Sequence, residues 1–374
     1  MGIKMPQQFD VTVVGAGIAG LMLTKKLSEL GLKVALVEKE AQMAGGPSTK
    51  NEGWLHRGTY HATSISDKDT AIQVARRCIY GHEQIRGYAP EAIEDIDLAS
   101  YALVKDPERT MEVISRWDEA GVRYTRVPLK ELARLESNVR TGEFADVFQV
   151  YDLGINTRLL YRKLLAASMR AGIEIFLNAE VVFNSLEEAL IEREGEKIPI
   201  TSRLFVYTAG YGVRDILRSN FGILVPLRYW KSHLTVFPRL TRSSVFCLDP
   251  HEAGMMNHGD YSIVGLNEDA MVHESPDFEI LEEGKEKVYA AASRLFHNLD
   301  GARSLTVACI KTDLADKPAA VRSLGVSVTE PLRGHFVVLP GKMTETPYIT
   351  DVVAKMVYDR IDDEMIAQRP MDTI

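Results

Sequence analysis

Asp10-Val11-Thr12-Val13-Val14-Gly15-Ala16-Gly17-Ile18-Ala19-Gly20 decides the fold of this 374-residue chain. Residues 10–14 are rich in β-branched side chains and predict a short buried strand. Residues 21–30 carry apolar side chains at helical spacing, with Lys25, Lys26, Ser28 and Glu29 on the polar side, and Gly31 ends that helix. Lys33-Val34-Ala35-Leu36-Val37-Glu38 predicts a second strand. Strand, helix and strand make one βαβ unit of about 30 residues, the size of a single right-handed crossover.

Within it, Gly15-x-Gly17-x-x-Gly20 is a dinucleotide fingerprint in its full context. Gly15 permits the tight turn, Gly17 leaves room for a pyrophosphate, and Gly20 lets helix and strand pack closely. The helix start, with Ile18 and Ala19, offers unpaired N–H groups and a partial positive charge to phosphates. Glu38 lies 18 residues beyond Gly20, where its carboxylate can accept ribose hydroxyls and would repel a 2′-phosphate. That disfavours NADP but leaves FAD and NAD both open.

Further along, a loop rich in Gly, Ser and Thr spans residues 44–62. Helices are predicted over 67–87, 107–121, 129–135, 156–171, 276–296 and 348–361. Strands are predicted over 147–150, 174–177, 180–183, 203–207, 304–310 and 336–339, and alternation over 228–266 marks a β-rich region. The expected class is α/β (α+β overall): a Rossmann-type FAD-binding domain from residues 1–85, 145–225 and 325–374, with an interleaved antiparallel β-sheet substrate domain from 86–144 and 226–324.

Composition bounds the function. The formal net charge is −8, which argues against a nucleic-acid partner. Cys78, Cys247 and Cys309 are far apart and odd in number, with no CxxC pair, so no disulfide framework and no metal site are expected, and a reducing cytoplasm fits. The first nine residues lack the features of a signal peptide. The longest nearly apolar run, residues 11–23, is too short to span a bilayer.

Four stretches together resemble the D-amino-acid-oxidase-like superfamily of FAD-dependent oxidoreductases, on the side of its glycerol-3-phosphate dehydrogenase and 2-hydroxyglutarate dehydrogenase branch. They are the fingerprint with Glu38; the loop Gly46-Pro47-Ser48-Thr49-Lys50-Asn51-Glu52-Gly53-Trp54-Leu55-His56-Arg57-Gly58; Tyr207-Thr208-Ala209-Gly210; and Leu339-Pro340-Gly341-Lys342-Met343-Thr344. The resemblance implies FAD as cofactor. It would place Ser48, Thr49 and Asn51 along the diphosphate and ribitol, with Lys39, Gly53, Trp54 and Leu55 also at the cofactor. Val181 would lie by the adenine, and Ala209 and Gly210 would approach backbone-first. Gly341, Lys342, Met343 and Thr344 would sit near the pyrimidine edge of the flavin, where backbone donors stabilise negative charge.

Oxidising an alcohol needs a base for the hydroxyl proton, and a histidine beside the flavin is the natural one. His56, ending the loop, is the first candidate; covalent attachment of FAD through it is the alternative. His61 suits either role. His233 is a second candidate base, and His251 and His258 also fall in the β-rich region. Arg57, Arg228, Lys231, Arg239 and Lys311 are cations suited to an anionic substrate group, and Tyr229, Trp230 and Tyr261 could wall a site. Residues 308–313 lack the Arg-Pro pair of the glycerol-3-phosphate branch, which weighs against that substrate itself. Oxidation of a CH–OH group on a small polar substrate is expected, with CH–NH oxidation as the alternative. The electron acceptor is left open among oxygen, a quinone and a carrier protein.

Overall fold

A computed structural model describes residues 5–266, 271–273, 275–299, 303–315 and 325–367; the outer ends of the expected cofactor domain, 1–4 and 368–374, lie outside the described residues. Strand β1 (Gln7–Val14), helix α1 (Ile18–Glu29) and strand β2 (Val34–Val37) form the expected crossover. The parallel pairing of β1 with β2 runs from Val11↔Val34 to Val14↔Val37.

On its other side β1 pairs in parallel with the strand Glu196–Tyr207, from Gln7↔Ile200 to Val14↔Tyr207. That strand pairs in turn with His335–Leu339, again in parallel. Glu174–Phe176 lies outside β2. An antiparallel flank of Ala179–Phe183 and Glu188–Arg193 completes most of an eight-stranded sheet. Both faces of its centre are covered, which is why these strands read as apolar runs. Val11, Val13, Leu204, Val206, Phe336 and Val338 pack under α1 and the helix Thr346–Ala367. Phe205, Tyr207, Val37 and Val337 face the opposite cluster.

The carboxyl ends of β1, β2, Glu196–Tyr207 and His335–Leu339 all emerge along one edge. Ligands of open α/β sheets bind outside that edge. The segments leaving it are Gly15–Gly20, Glu38, Thr208–Gly210 and Pro340–Thr344, so the fold gathers three of the four sequence stretches at one edge.

A nine-stranded sheet uses strands from 100–150 and 227–314, with the long strand Leu227–Pro238 toward one end of it, paired to Leu305–Leu314 and Tyr261–Leu266. Asp146–Val150 belongs here, antiparallel to Ser100–Val104, although it falls inside the segment expected to join the cofactor domain. A small sheet of Trp54–Leu55, Leu153–Ile155 and Ile93–Glu94 carries the Gly/Ser/Thr loop between the two large sheets.

Two elements differ from expectation for local reasons. The helix expected over 276–296 begins only at Glu282. Asp277 accepts the amide of Glu279 and pairs with Lys231, and the Leu281 amide donates to the His233 ring, so side chains hold the preceding backbone out of helix. The strand expected at 203–207 starts at Glu196, because Glu194 (φ +50°) and Gly195 (φ +84°) close a tight hairpin with Glu188–Arg193. Among the described residues no helix is long and apolar enough to cross a membrane.

The helix Lys68–Tyr88, capped by Asp67 through the Thr70 amide, packs against the turn at Met343–Glu345. Gly81 allows this: a Cβ there would lie 1.6 Å from the Thr344 carbonyl oxygen.

Candidate active site

Close backbone packing builds the crevice at the sheet edge. Gly15 adopts φ +107°, and a Cβ on it would fall 2.6 Å from Ala209 Cα. A Cβ on Gly20 would fall 1.9 Å from the Gly15 carbonyl oxygen. The Thr208 hydroxyl donates to that carbonyl at 2.7 Å, tying the second segment to the first.

Helix α1 begins at Gly17 with no acidic residue in its first turn and no capping side chain of its own. Its Ile18 amide donates instead to Ser48 Oγ at 3.2 Å, which brings the Gly/Ser/Thr loop over the helix start. Glu38 accepts from the Ala16 amide at 2.7 Å and the Glu40 amide at 3.0 Å. A carboxylate offers about four lone-pair sites, so acceptor capacity for ribose hydroxyls remains. The Ala179 amide donates to the Glu38 carbonyl, which sets Val181 two residues further along the neighbouring strand. Lys39 is exposed and lies over the Tyr211 ring. Gly210 (φ +54°) borders open space, with nothing within 4 Å of a notional Cβ among the described residues. A helix start free of acidic residues, with Ser48 beside it, a nearby acid at Glu38 and a glycine rim fit a dinucleotide diphosphate and its ribose.

The loop 46–58 is held at many points. Thr49 donates to the Ala44 carbonyl, Asn51 bridges the Ser48 carbonyl and the Gly53 amide, and Tyr161 donates to the Ser48 carbonyl. His258 lies beneath it. One ring nitrogen meets the Glu52 carbonyl at 2.8 Å and the other meets Glu94. Leu55 is fully buried.

His56 follows with its side chain 17% exposed. Its ring stacks on Trp54 at 4.6 Å and meets the edge of His61 at 4.3 Å. Its amide donates to Thr344 Oγ1 at 3.2 Å, so the C-terminal turn and the loop meet at this histidine. Burial pushes the His56 ring well below the ordinary histidine value, and Lys342, Lys311 and His82 push the same way. The ring is therefore neutral near pH 7 and offers a lone pair rather than a second proton.

Lys311 reaches the same place, 3.2 Å from Glu52. Burial raises the Glu52 carboxyl, but Lys311, its own backbone and Lys342 outweigh that and bring it below the usual range. His56, Glu52, Lys311, Gly341, Lys342 and Met343 thus converge where the loop, the large sheet and the C-terminal turn meet.

The other expected residues are elsewhere. His233 lies against the helix Glu282–Leu295: a Cβ on Gly284 would fall 2.2 Å from its ring. Strand alternation puts it on the face opposite Leu234, whose side chain shares the surroundings of Gly265 with Glu52. The Lys231 side chain is fully buried and pairs with Asp277 at 2.7 Å. Arg57 is drawn to Glu83 at 2.9 Å. Arg228 is the exception: in register with Asp313, it alternates onto the same face as Leu234. Tyr261 is 45% exposed and stacks on His258. Arg239 pairs with Asp95. Sequence reading passed over Glu52 and Asp152. The signal for Glu52 was the one acid in an otherwise neutral or basic loop, whereas Asp152 carried none.

A model of the DAO family, FAD dependent oxidoreductase, matches residues 10–341. An L-2-hydroxyglutarate dehydrogenase from Indibacter alkaliphilus is 27% identical over 135 residues, which is 34% of this chain and 32% of that protein, so the match spans about a third of the relative's length. L-alpha-glycerophosphate oxidase from Mycoplasma pneumoniae, solved with FAD bound, superposes with a TM-score of 0.75 at 16% identity, covering 94% of this chain and 95% of that one. Glycine oxidase from Geobacillus kaustophilus superposes with a TM-score of 0.72 at 18% identity over the same shares. These two structures share the fold.

Proposed function

The chain belongs to the DAO family of FAD dependent oxidoreductases, with FAD as its cofactor, and from that premise we propose that it oxidises a CH–OH group of a small polar substrate such as a hydroxy acid, a polyol phosphate or a sugar-like alcohol. The observation that carries this reading is the His56 ring on the cofactor loop, stacked on Trp54 with its backbone tied to Thr344 of the C-terminal turn, where burial, Lys342 and Lys311 favour its neutral form. An alcohol must lose its hydroxyl proton as its C–H bond breaks, and a neutral imidazole is the group to take it. Bound FAD supplies the hydride acceptor.

The chain's own residues do the rest. The start of α1 and Ser48 would hold the diphosphate, and Glu38 the ribose. Thr49 and Asn51 would keep the loop in place. Gly341 to Thr344 would border the reacting end. Lys311 is the cation best placed for an anionic substrate group, with Glu52 as its counter-ion until substrate arrives. The reading is supported by an L-2-hydroxyglutarate dehydrogenase among the relatives. The three cysteines are buried and form no disulfide among the described residues, which supports a proposed cytoplasmic location.

The test is anaerobic. The FAD-loaded protein is screened against hydroxy acids, polyol phosphates, sugars and amino acids for loss of the flavin absorbance band. Bleaching by a hydroxy compound with a ketone product is expected; bleaching only by an amine, with ammonia released, replaces the CH–OH reading by CH–NH oxidation. His56→Asn should slow the bleaching about 10²–10⁴-fold, and a parent-like rate removes His56 as the base.

A further inference from the structure

We propose that Asp152 is the positioning residue for His56, holding its Nδ1–H so that Nε2 faces the substrate as the base. This rests on the reading of His56 as the base.

Asp152 is fully buried. Its Oδ1 accepts from the Trp54 indole at 3.1 Å and from the Arg57 amide at 2.9 Å, and its Oδ2 accepts from the Thr59 hydroxyl. All three donors lie within three residues of His56, so the loop carrying the base is wound around this carboxylate. Trp54, whose indole Asp152 holds, is also the ring on which His56 stacks.

His56 Nδ1 is buried and has no hydrogen-bond partner among the described residues. Asp152 Oδ1 is 3.8 Å from it. A buried polar atom without a partner is costly, and closing this gap to about 2.9 Å would give Nδ1–H a carboxylate acceptor. Burial raises the Asp152 carboxyl, while Thr59, the Arg57 amide and Trp54 restrain it. The other groups acting on His56 are Lys342, Lys311 and His82, with His61 at its edge.

The chemistry follows. An N–H at Nδ1 directed to the carboxylate leaves the lone pair on Nε2. When the substrate O–H bond breaks, its proton goes to Nε2 and the ring becomes a cation. Asp152 keeps its negative charge throughout and stabilises that cation, the division of labour of a base and its orienting acid.

The test needs no substrate. In FAD-loaded protein labelled with ¹⁵N-histidine, the ring nitrogen shifts of His56, assigned by loss of the signal in His56→Asn, should report the Nδ1–H tautomer. In Asp152→Asn that tautomer should lose its dominance and the His56 pKa should fall by about one unit; Asp152→Glu should restore part of both. A dominant Nε2–H tautomer in the parent overturns the proposal, and that measurement stands even if the variants fail to fold. So does an unchanged tautomer and pKa in a folded, FAD-loaded Asp152→Asn. If instead His56→Asn keeps the parent rate of flavin reduction, the base reading fails while the tautomer result still stands.

Discussion

Replacing Gly81 by alanine tests how the C-terminal turn is seated. In an exposed helix the change would stabilise, by up to about 1 kcal/mol. Here the new Cβ would fall 1.6 Å from the Thr344 carbonyl oxygen and 2.8 Å from its carbon. Backbone cannot swing away as a flexible side chain can, so restoring an ordinary separation of about 3.4 Å requires helix and turn to part by roughly 1.8 Å. That movement also strains the His56 amide bond to Thr344 and the Arg77–Glu345 pair at 2.7 Å. Overpacking of this kind costs about 1–3 kcal/mol, enough to outweigh the helix preference and lower Tm by a few degrees. Gly87 in the same helix is the control, because nothing lies within 4 Å of its notional Cβ among the described residues. Thermal unfolding of both FAD-loaded variants should move Tm down for Gly81→Ala and level or slightly up for Gly87→Ala. FAD retention should fall only in the first. Two variants stabilised alike would refute the reasoning.

Two further outcomes concern pH. Lys311 helps to keep His56 uncharged, so Lys311→Met should raise the histidine's pKa and move the acid limb of flavin reduction to higher pH; stopped-flow rates across the acid range that show no shift, or a downward one, contradict this. Burial, aided by Arg57, brings the His82 ring down to about 4. A depressed histidine favours the fold above its unfolded pKa of about 6.5, and that contribution is lost as pH falls toward 4. The swing is about 3 kcal/mol at most. Urea unfolding of His82→Gln at pH 7 and pH 5 should therefore show a smaller acid loss than the parent, and an equal loss would count against it.

Local chemistry made the cofactor half readable. Gly15, Gly17 and Gly20 are required by backbone approaches a few residues apart, and strand, helix and strand are each set by their own periodicity. Thr208 and Gly341 were legible only as parts of the family pattern, because what makes them matter is a sheet edge assembled from distant segments. The substrate side was harder. His233 and Lys231 sit on an alternating strand, and alternation says that two faces exist without saying which one meets the crevice. The helix Glu282–Leu295 decided that by covering the face of His233. Asp152 left no trace in the sequence because its three donors lie more than ninety residues earlier.

The parallel pairing of β1 with Glu196–Tyr207 also has a consequence for biosynthesis. Val14 meets Tyr207, a partner that leaves the ribosome roughly 190 residues later, or about 10–40 s at ordinary translation speeds. Until then the nascent chain holds a glycine turn and an apolar strand with one unpaired side, a ready target for chaperones or for another polysome's product. His335–Leu339 arrives later still. The crevice for the flavin is therefore complete only after both partner strands have emerged, and a shortage of the vitamin precursor should be felt as aggregation of the apo form rather than as stalled synthesis.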